Sequence, residues 1–100
     1  MNLVTDAIRA SLPPLYATEN DVDPLVHVKF FTPWSSWTWY GIEFDGEDLF
    51  FGLVDGFECE LGYFSLAELE QLRGPGGLTI ERDRCFLPTL LSTVQQKCRP

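Results

Sequence analysis

One hundred residues, 45% of them hydrophobic, are enough for one hydrophobic core, and we expect a single domain over residues 1–100. The formal net charge of −8 at pH 7, from 15 acidic and 7 basic side chains, argues against direct binding to nucleic acid or to an anionic membrane. It is compatible with a basic protein partner, with a small ligand, or with solubility alone.

The first half of the chain predicts one helix and two strands. Thr5 is a suitable N-cap for a short helix that ends at Pro13-Pro14. A polar loop over 15–23 follows, and the alternating pattern of Leu25–Thr32 then predicts a strand. After a break at 33–36, Trp37–Phe44 predicts a second strand.

Two Asp-Gly pairs mark turns between the next strands. Asp45-Gly46 predicts a two-residue hairpin turn before a strand over 49–54, and Asp55-Gly56 leads to a fourth strand over 57–63. Ser65 with Glu68 then forms a capping-box pattern for a helix that ends at Gly74-Pro75.

The remaining segments predict an edge strand over 78–86 and a last helix from Pro88 to Lys97. The fold class is therefore α+β: an antiparallel β-meander of four to five strands with short helices, one at the N-terminus and one after the fourth strand.

Strand register decides which side chains share a face of this sheet. The turn at Asp45-Gly46 gives one face that is apolar throughout, with Thr38, Tyr40, Ile42, Leu49, Phe51 and Leu53. A two-residue turn at Asp55-Gly56 would add Glu58 and Glu60 to this face. We favour a three-residue loop over 54–56 with a left-handed Gly56, because it keeps both carboxylates out of the core.

The opposite face, which we call the tryptophan face, combines large rings with carboxylates. Aromatic residues surrounded by polar groups are typical of interfaces, so we predict partner binding there. The predicted partner-binding residues are Trp37, Trp39, Phe50, Glu43, Asp48, Glu58 and Glu60. In the alternative interpretation, the C-terminal segment or the loop with Trp34 covers these rings as a second core.

No residue pattern indicates catalysis, a metal or a cofactor. His27 is the only histidine, and a single histidine gives no basis for predicting a Ser/His/Asp or Cys/His catalytic arrangement. Cys59, Cys85 and Cys98 lack the spacing of metal ligands. Residues 73–77 follow a helix and lack a Lys-Ser/Thr pair, so they form a turn and not a phosphate loop.

The cysteines and the N-terminal residues point to the cytoplasm. An odd number of cysteines without Cys-x-x-Cys spacing favours free thiols in a reducing compartment. The first residues lack the basic and apolar regions of a signal peptide, and no apolar run reaches the roughly 20 residues of a membrane span.

Several motifs spread along the chain are shared with a known family. They are Leu12–Tyr16, Lys29–Pro33, Ser35–Tyr40, Glu43–Asp48, Phe50–Gly52, Glu60–Ser65 with Glu68-Leu69, Arg73–Pro75 and Ile80–Asp83. Over roughly Leu3 to Pro88, the chain resembles the bacterial "domain of unknown function" family numbered twenty-nine fifty-eight. The resemblance implies an origin on plasmids, phages or integrative elements, and it supplies no activity or catalytic residues.

Two functional hypotheses follow. The first is a non-catalytic protein-interaction module, an anti-defence inhibitor (anti-CRISPR or anti-restriction) that binds a basic nucleic-acid-handling host complex in the bacterial cytoplasm and blocks access of nucleic acid. The alternative is a small accessory or ligand-binding protein that supports plasmid or element maintenance with its aromatic pocket.

Overall fold

The computed structural model describes residues 3–98, which form seven strands, three short α-helices and one 3₁₀ turn. In chain order these are α1 (Asp6–Ser11), β1 (Leu25–Val26), β2 (Val28–Phe31), β3 (Thr38–Phe44), β4 (Leu49–Asp55), β5 (Cys59–Ser65), α2 (Leu66–Gln71), the 3₁₀ turn (Pro75–Gly77), β6 (Glu81–Arg82), β7 (Thr89–Leu90) and α3 (Leu91–Cys98). The predicted α+β class is confirmed, including the helix near the N-terminus and the helix after the meander.

Five antiparallel strands form the main sheet in the order β5-β4-β3-β2-β6. Strand β6 pairs with the free edge of β2, within the segment 78–86 that predicts an edge strand. The predicted strand over 25–32 is divided at His27, because β1 leaves the main sheet and pairs with β7. Since β7 occupies the residues before it, α3 begins at Leu91 and not at the predicted Pro88.

The first two helices begin at the capping residues that the sequence predicts. The Thr5 hydroxyl accepts a hydrogen bond from the Ile8 N–H at 3.2 Å, and the Ser65 hydroxyl accepts one from the Glu68 N–H at 3.3 Å. Each side chain satisfies a backbone donor that has no partner within its helix. Helix α2 ends before the predicted stop at Gly74-Pro75.

A β-bulge in β3 makes the predicted register of the first hairpin wrong. Gly41 pairs with Gly52 and Glu43 pairs with Phe51, so Ile42 is the extra residue. Residues before the bulge keep their predicted faces, whereas Glu43 changes to the face of Phe51. The tryptophan face therefore lacks one of its predicted carboxylates.

The loop of this hairpin is longer than the predicted two-residue turn at 45–46. The Asp45 carboxylate accepts hydrogen bonds from the N–H groups of Glu47 and Asp48 at 2.8 Å and of Leu49 at 3.0 Å. One side chain thus satisfies three backbone donors inside the loop, which stabilises the longer connection.

The second hairpin has a three-residue loop, Gly56–Glu58, between the paired ends of β4 and β5. This loop lies two residues beyond the predicted loop 54–56, and Gly56 is not among the glycines with positive φ. Because a shift of two residues preserves the faces, Glu60 lies on the tryptophan face as predicted. Phe57 leaves the sheet and enters the loop.

The tryptophan face forms the larger of two cores. Phe50 is fully buried and stacks on Phe44 and Phe64, with ring centroids 4.2 and 5.1 Å apart, while Phe30 meets it edge-on at 5.5 Å. The N-terminal segment, α2 and one later residue cover this face with Leu3, Val4, Leu12, Leu66, Leu69 and Ile80.

The predicted apolar face forms the smaller core, which β1 and α3 cover in part. Its buried residues are Val26, Tyr40, Ile42, Leu53, Leu91 and Val94. Asp23 fixes the start of α3, because its carboxylate accepts hydrogen bonds from the Ser92 N–H at 2.9 Å and from the Ser92 hydroxyl at 2.7 Å. At the far edge, Leu61 and Tyr63 of β5 are about half exposed.

A disulfide connects the start of β5 to the end of α3. It joins Cys59 and Cys98, whose Cα atoms lie 6.1 Å apart. The prediction of free thiols is therefore wrong for these two residues, and Cys85 is free and exposed. Sequence spacing gives no sign of the pair because the two cysteines are 39 positions apart and meet only when α3 packs on the sheet.

No helix within residues 3–98 is long and apolar enough to cross a membrane.

The disulfide predicts a redox-dependent stability. Under oxidising conditions, Cys98→Ser should lower the free energy of unfolding by about 2–4 kcal/mol, because the loop closed by the bond restricts the unfolded chain. Guanidinium denaturation with and without dithiothreitol measures this difference. The control Cys85→Ser should match the parent protein, and equal stability of Cys98→Ser and the parent without reductant would contradict the prediction.

A row of glycines across β3, β4 and β5 provides a second test. A Cβ at Gly52 would lie 1.8 Å from the carbonyl oxygen of Tyr40, whereas a Cβ at its pairing partner Gly62 would meet no atom within 4 Å. We expect Gly52→Ala to lower the free energy of unfolding by about 2–4 kcal/mol, since backbone cannot yield as a side chain does. Gly62→Ala should change it by less than about 1 kcal/mol in either direction. Equal melting temperatures of Gly52→Ala and Gly62→Ala would show that the Tyr40 backbone does not pack closely against Gly52.

Candidate functional site

The seven residues predicted to bind a partner lie in different environments. Trp39 and Phe50 are buried in the larger core. The alternative in which the tryptophan face is covered is therefore the correct one for these two rings. The N-terminal segment and α2 cover them, with Trp34 packed against the same core, and the C-terminal segment does not take part.

Glu43 is 3% exposed and holds the loop at Tyr16–Thr18. Its Oε1 accepts a hydrogen bond from the Tyr16 N–H at 2.8 Å, and its Oε2 accepts from the N–H of Thr18 at 2.9 Å and from the Thr18 hydroxyl. Burial raises the pKa of Glu43, but these hydrogen bonds outweigh burial and keep the pKa below its usual value. Glu43 is therefore ionised at neutral pH, and its role in the fold is to anchor this loop.

Asp48 is occupied at the start of α2. Its Oδ2 accepts a hydrogen bond from the Ser65 hydroxyl and its Oδ1 accepts from the Ala67 N–H, both at 2.8 Å. Its backbone carbonyl accepts from the Leu66 N–H, also at 2.8 Å. A carboxylate at the N-terminus of a helix satisfies backbone donors and opposes the helix dipole, so Asp48 stabilises the junction between β5 and α2.

Trp37, Glu58 and Glu60 come together at the end of the β4–β5 hairpin, next to Phe57. We call these four residues the hairpin tip. Phe57 is 93% exposed and meets the Trp37 ring edge-on, with centroids 5.2 Å apart. Trp37 lies over Gly56, where a Cβ would be 2.4 Å from the ring. Together with Val54 and Gly56, the hairpin tip lines a shallow pocket of about 290 Å³.

The two carboxylates of the hairpin tip interact with each other. A hydrogen bond with Glu58, together with repulsion from its charge, raises the pKa of Glu60 above its usual value. Both side chains are exposed. A cationic group from outside would relieve this repulsion, so the electrostatics of the hairpin tip favour a basic partner.

A second concave site, which sequence reasoning missed, lies on the opposite side of the sheet. It is a cavity of about 450 Å³ between the loop over 16–24, strands β3 to β5 and the first residue of α3, and we call it the Tyr16 cavity. Tyr16 has a φ of 71°, which is uncommon for a residue other than glycine. The motif Leu12–Tyr16 was the sequence signal at this place, but nothing local indicates that Glu43 would fix the loop beside the sheet.

The histidine and the cysteines are the residue types that most often take part in catalysis or metal binding. Burial lowers the pKa of the half-buried His27, which is therefore neutral at pH 7. Asp55, Cys59 and Cys98 bring their potential metal-ligating atoms within 4.8 Å of one another. The disulfide, however, removes the two thiolates that a metal ion would need.

Comparison with known families agrees with the motifs. Residues 3–97 match the family described as Protein of unknown function (DUF2958). The chain belongs to this family. The matched range of this DUF2958 protein continues beyond Pro88 into α3, farther than the motifs alone indicate, and it includes the hairpin tip and the Tyr16 cavity. No curated protein and no solved structure gives a significant match to the chain.

Glu43 predicts a pH-dependent contribution to stability. Glu43→Gln should lower the free energy of unfolding by about 1.5–3 kcal/mol at neutral pH, because it removes charged hydrogen bonds to Tyr16 and Thr18. Folding lowers the pKa of Glu43, so its contribution is present above the pKa of the unfolded chain and is lost as pH falls through the folded value.

Urea denaturation between neutral and acidic pH tests this prediction. The difference in free energy of unfolding between the parent and Glu43→Gln should shrink as the pH falls below the usual pKa of a glutamate side chain. Glu47→Gln, which changes an exposed carboxylate in the neighbouring loop, is the matched control and should keep the parent stability at neutral pH. A Glu43→Gln variant as stable as this control would show that the buried carboxylate does not anchor the loop.

Proposed function

We propose that this chain is a non-catalytic protein-interaction module of a bacterial mobile genetic element, and that it acts in the cytoplasm as an anti-defence inhibitor. In this proposal the hairpin tip docks on a basic surface of a nucleic-acid-handling host complex, such as a CRISPR surveillance complex or a restriction enzyme. Occupation of that surface blocks access of nucleic acid.

The observation that carries the proposal is the exposure of Phe57. A phenyl ring that is 93% exposed loses apolar hydration when a partner covers it, and aromatic residues dominate the energetics of protein interfaces. Its edge-on contact with Trp37 supports one side of the ring. An aromatic group with a supporting neighbour therefore projects from the hairpin, where a partner could cover it.

Charge supports the choice of a basic partner. Glu58 and Glu60 flank Phe57 and repel each other, while the whole chain has a net charge of −8. Surfaces that bind nucleic acid are rich in Lys and Arg, and carboxylates complement them as phosphates do. Long-range attraction between the two proteins would accelerate association and make it sensitive to salt.

Two variants of the hairpin tip test the proposal. Phe57→Ala should weaken binding to a purified target complex by at least about tenfold, because it removes the apolar anchor. The double charge reversal Glu58→Lys with Glu60→Lys should weaken binding and reduce its salt dependence. Glu47→Lys with Glu68→Lys makes the same change in net charge away from the hairpin tip, and it should retain most of the binding.

A plasmid-transformation assay provides the functional measurement. Cells with an active CRISPR or restriction system should accept a targeted plasmid more often when they express the parent protein, and the gain should disappear with Phe57→Ala. Circular dichroism checks that each variant is folded. No gain in transformation across representative systems of both types, or equal gains from the parent and Phe57→Ala, would overturn the proposal.

A further inference from the structure

The Tyr16 cavity has the size and floor of a small-molecule site. Its volume of about 450 Å³ is within the range of roughly 300–1,000 Å³ in which proteins hold small ligands. Its floor consists of Ile42, Phe51, Leu61 and Leu91, which belong to three strands and one helix, and the loop adds Val22 and Pro24. Secondary-structure elements that are packed together hold this floor in place without a ligand.

Two tyrosines stand at the rim of the cavity. Tyr16 is 62% exposed and Tyr63 is 51% exposed, and both line the cavity. The Tyr16 backbone has its left-handed conformation because Glu43 binds the Tyr16 N–H from the sheet below. The backbone of Tyr16 is thus held beside the sheet, and the two tyrosines place aromatic rings at the rim of an apolar floor.

The lining is also negatively charged. Glu19, Asp21 and Glu43 are the titratable carboxylic acids among the lining residues, which include no lysine, arginine or histidine. The hydrogen bond with Tyr16, with smaller contributions that include the charges of Glu43 and Glu19, raises the pKa of Tyr63. The negative electrostatic potential at the rim therefore disfavours binding of an anion and favours binding of a cation.

From this combination we infer that the Tyr16 cavity binds a small organic cation with an apolar body, such as an arylalkyl amine or guanidine. The apolar body lies on the floor formed by Phe51, Leu61 and Leu91. The cationic group lies at the rim, near the carboxylates of Glu19 and Asp21 and against the tyrosine rings. This binding activity goes beyond the proposed docking of the hairpin tip and uses none of its residues.

A matched set of three compounds tests the charge preference. The probe is 2-phenylethylammonium, with 3-phenylpropionate as an anion of similar size and 2-phenylethanol as a neutral analogue. Titrations followed by protein NMR should give saturable shifts at Phe51, Leu61 and Tyr63 with the cation. The anion should bind at least about tenfold more weakly, and the alcohol about threefold to tenfold more weakly.

Two leucine variants test the location. Leu61→Lys places a cation inside the cavity and should remove binding of the probe. The control is Leu78→Lys, because Leu78 is exposed to a similar extent, 45% against 47%, and does not line the cavity. The control should bind the probe as the parent does.

The rim charges provide a milder change that leaves the floor intact. Glu19→Gln with Asp21→Asn should weaken binding of the cation about threefold to tenfold and leave binding of the alcohol unchanged. This pair changes two exposed side chains of the loop and no residue of the sheet or of α3. It therefore keeps the test valid if Leu61→Lys does not fold.

Three results would overturn the inference. The first is the absence of saturable NMR shifts at the cavity residues, and the second is equal affinity of the parent protein for the cation and the anion. The third is equal affinity of Leu78→Lys and a folded Leu61→Lys for 2-phenylethylammonium. Phe57→Ala should bind the probe normally, because the hairpin tip lies outside the cavity. Failure of the docking proposal and failure of this inference therefore give different results.

Discussion

The β-bulge at Ile42 is the constraint on which the rest of the structure depends. By adding one residue to β3, it turns Phe44 toward Phe50 and allows the stack with Phe64 that joins three neighbouring strands. The same bulge places the Glu43 side chain on the opposite face of the sheet, together with Phe51. One extra residue thus completes the larger core and supplies the anchor for the loop at Tyr16.

This division of roles explains why the hairpin tip and the Tyr16 cavity differ. On one side, α2 and the N-terminal segment cover the aromatic stack, and the partly buried Trp37 at its margin contacts Phe57. On the other side, α3 covers only part of the sheet, so the floor near Leu61 stays open beneath the loop over 16–24. The hairpin tip presents the exposed Phe57 ring beside a shallow pocket, whereas the Tyr16 cavity is larger and is lined by both apolar and acidic groups.

Contacts between distant parts of the chain hold this arrangement. Asp23 fixes the start of α3 through Ser92, and the disulfide of Cys59 and Cys98 fixes its end. The short helix therefore covers the smaller core although it has only eight residues. Such a helix is marginal in isolation, so its position depends on these two ends and on the packing of its apolar side.

Local chemistry in the sequence determined the element types, the capping residues Thr5 and Ser65, the meander and the family. These features depend on neighbouring residues, whose spacing is visible in the chain itself. Only the tertiary structure decided that Trp39 and Phe50 are covered, that Glu43 faces the loop, and that Cys59 meets Cys98. Each of these outcomes depends on a bulge, or on a contact between residues distant in sequence, that competes with the local pattern. Long-range packing therefore sets both candidate surfaces: local patterns indicated Trp37, Glu58 and Glu60 at the hairpin tip, but nothing local indicated the cavity beside Tyr16.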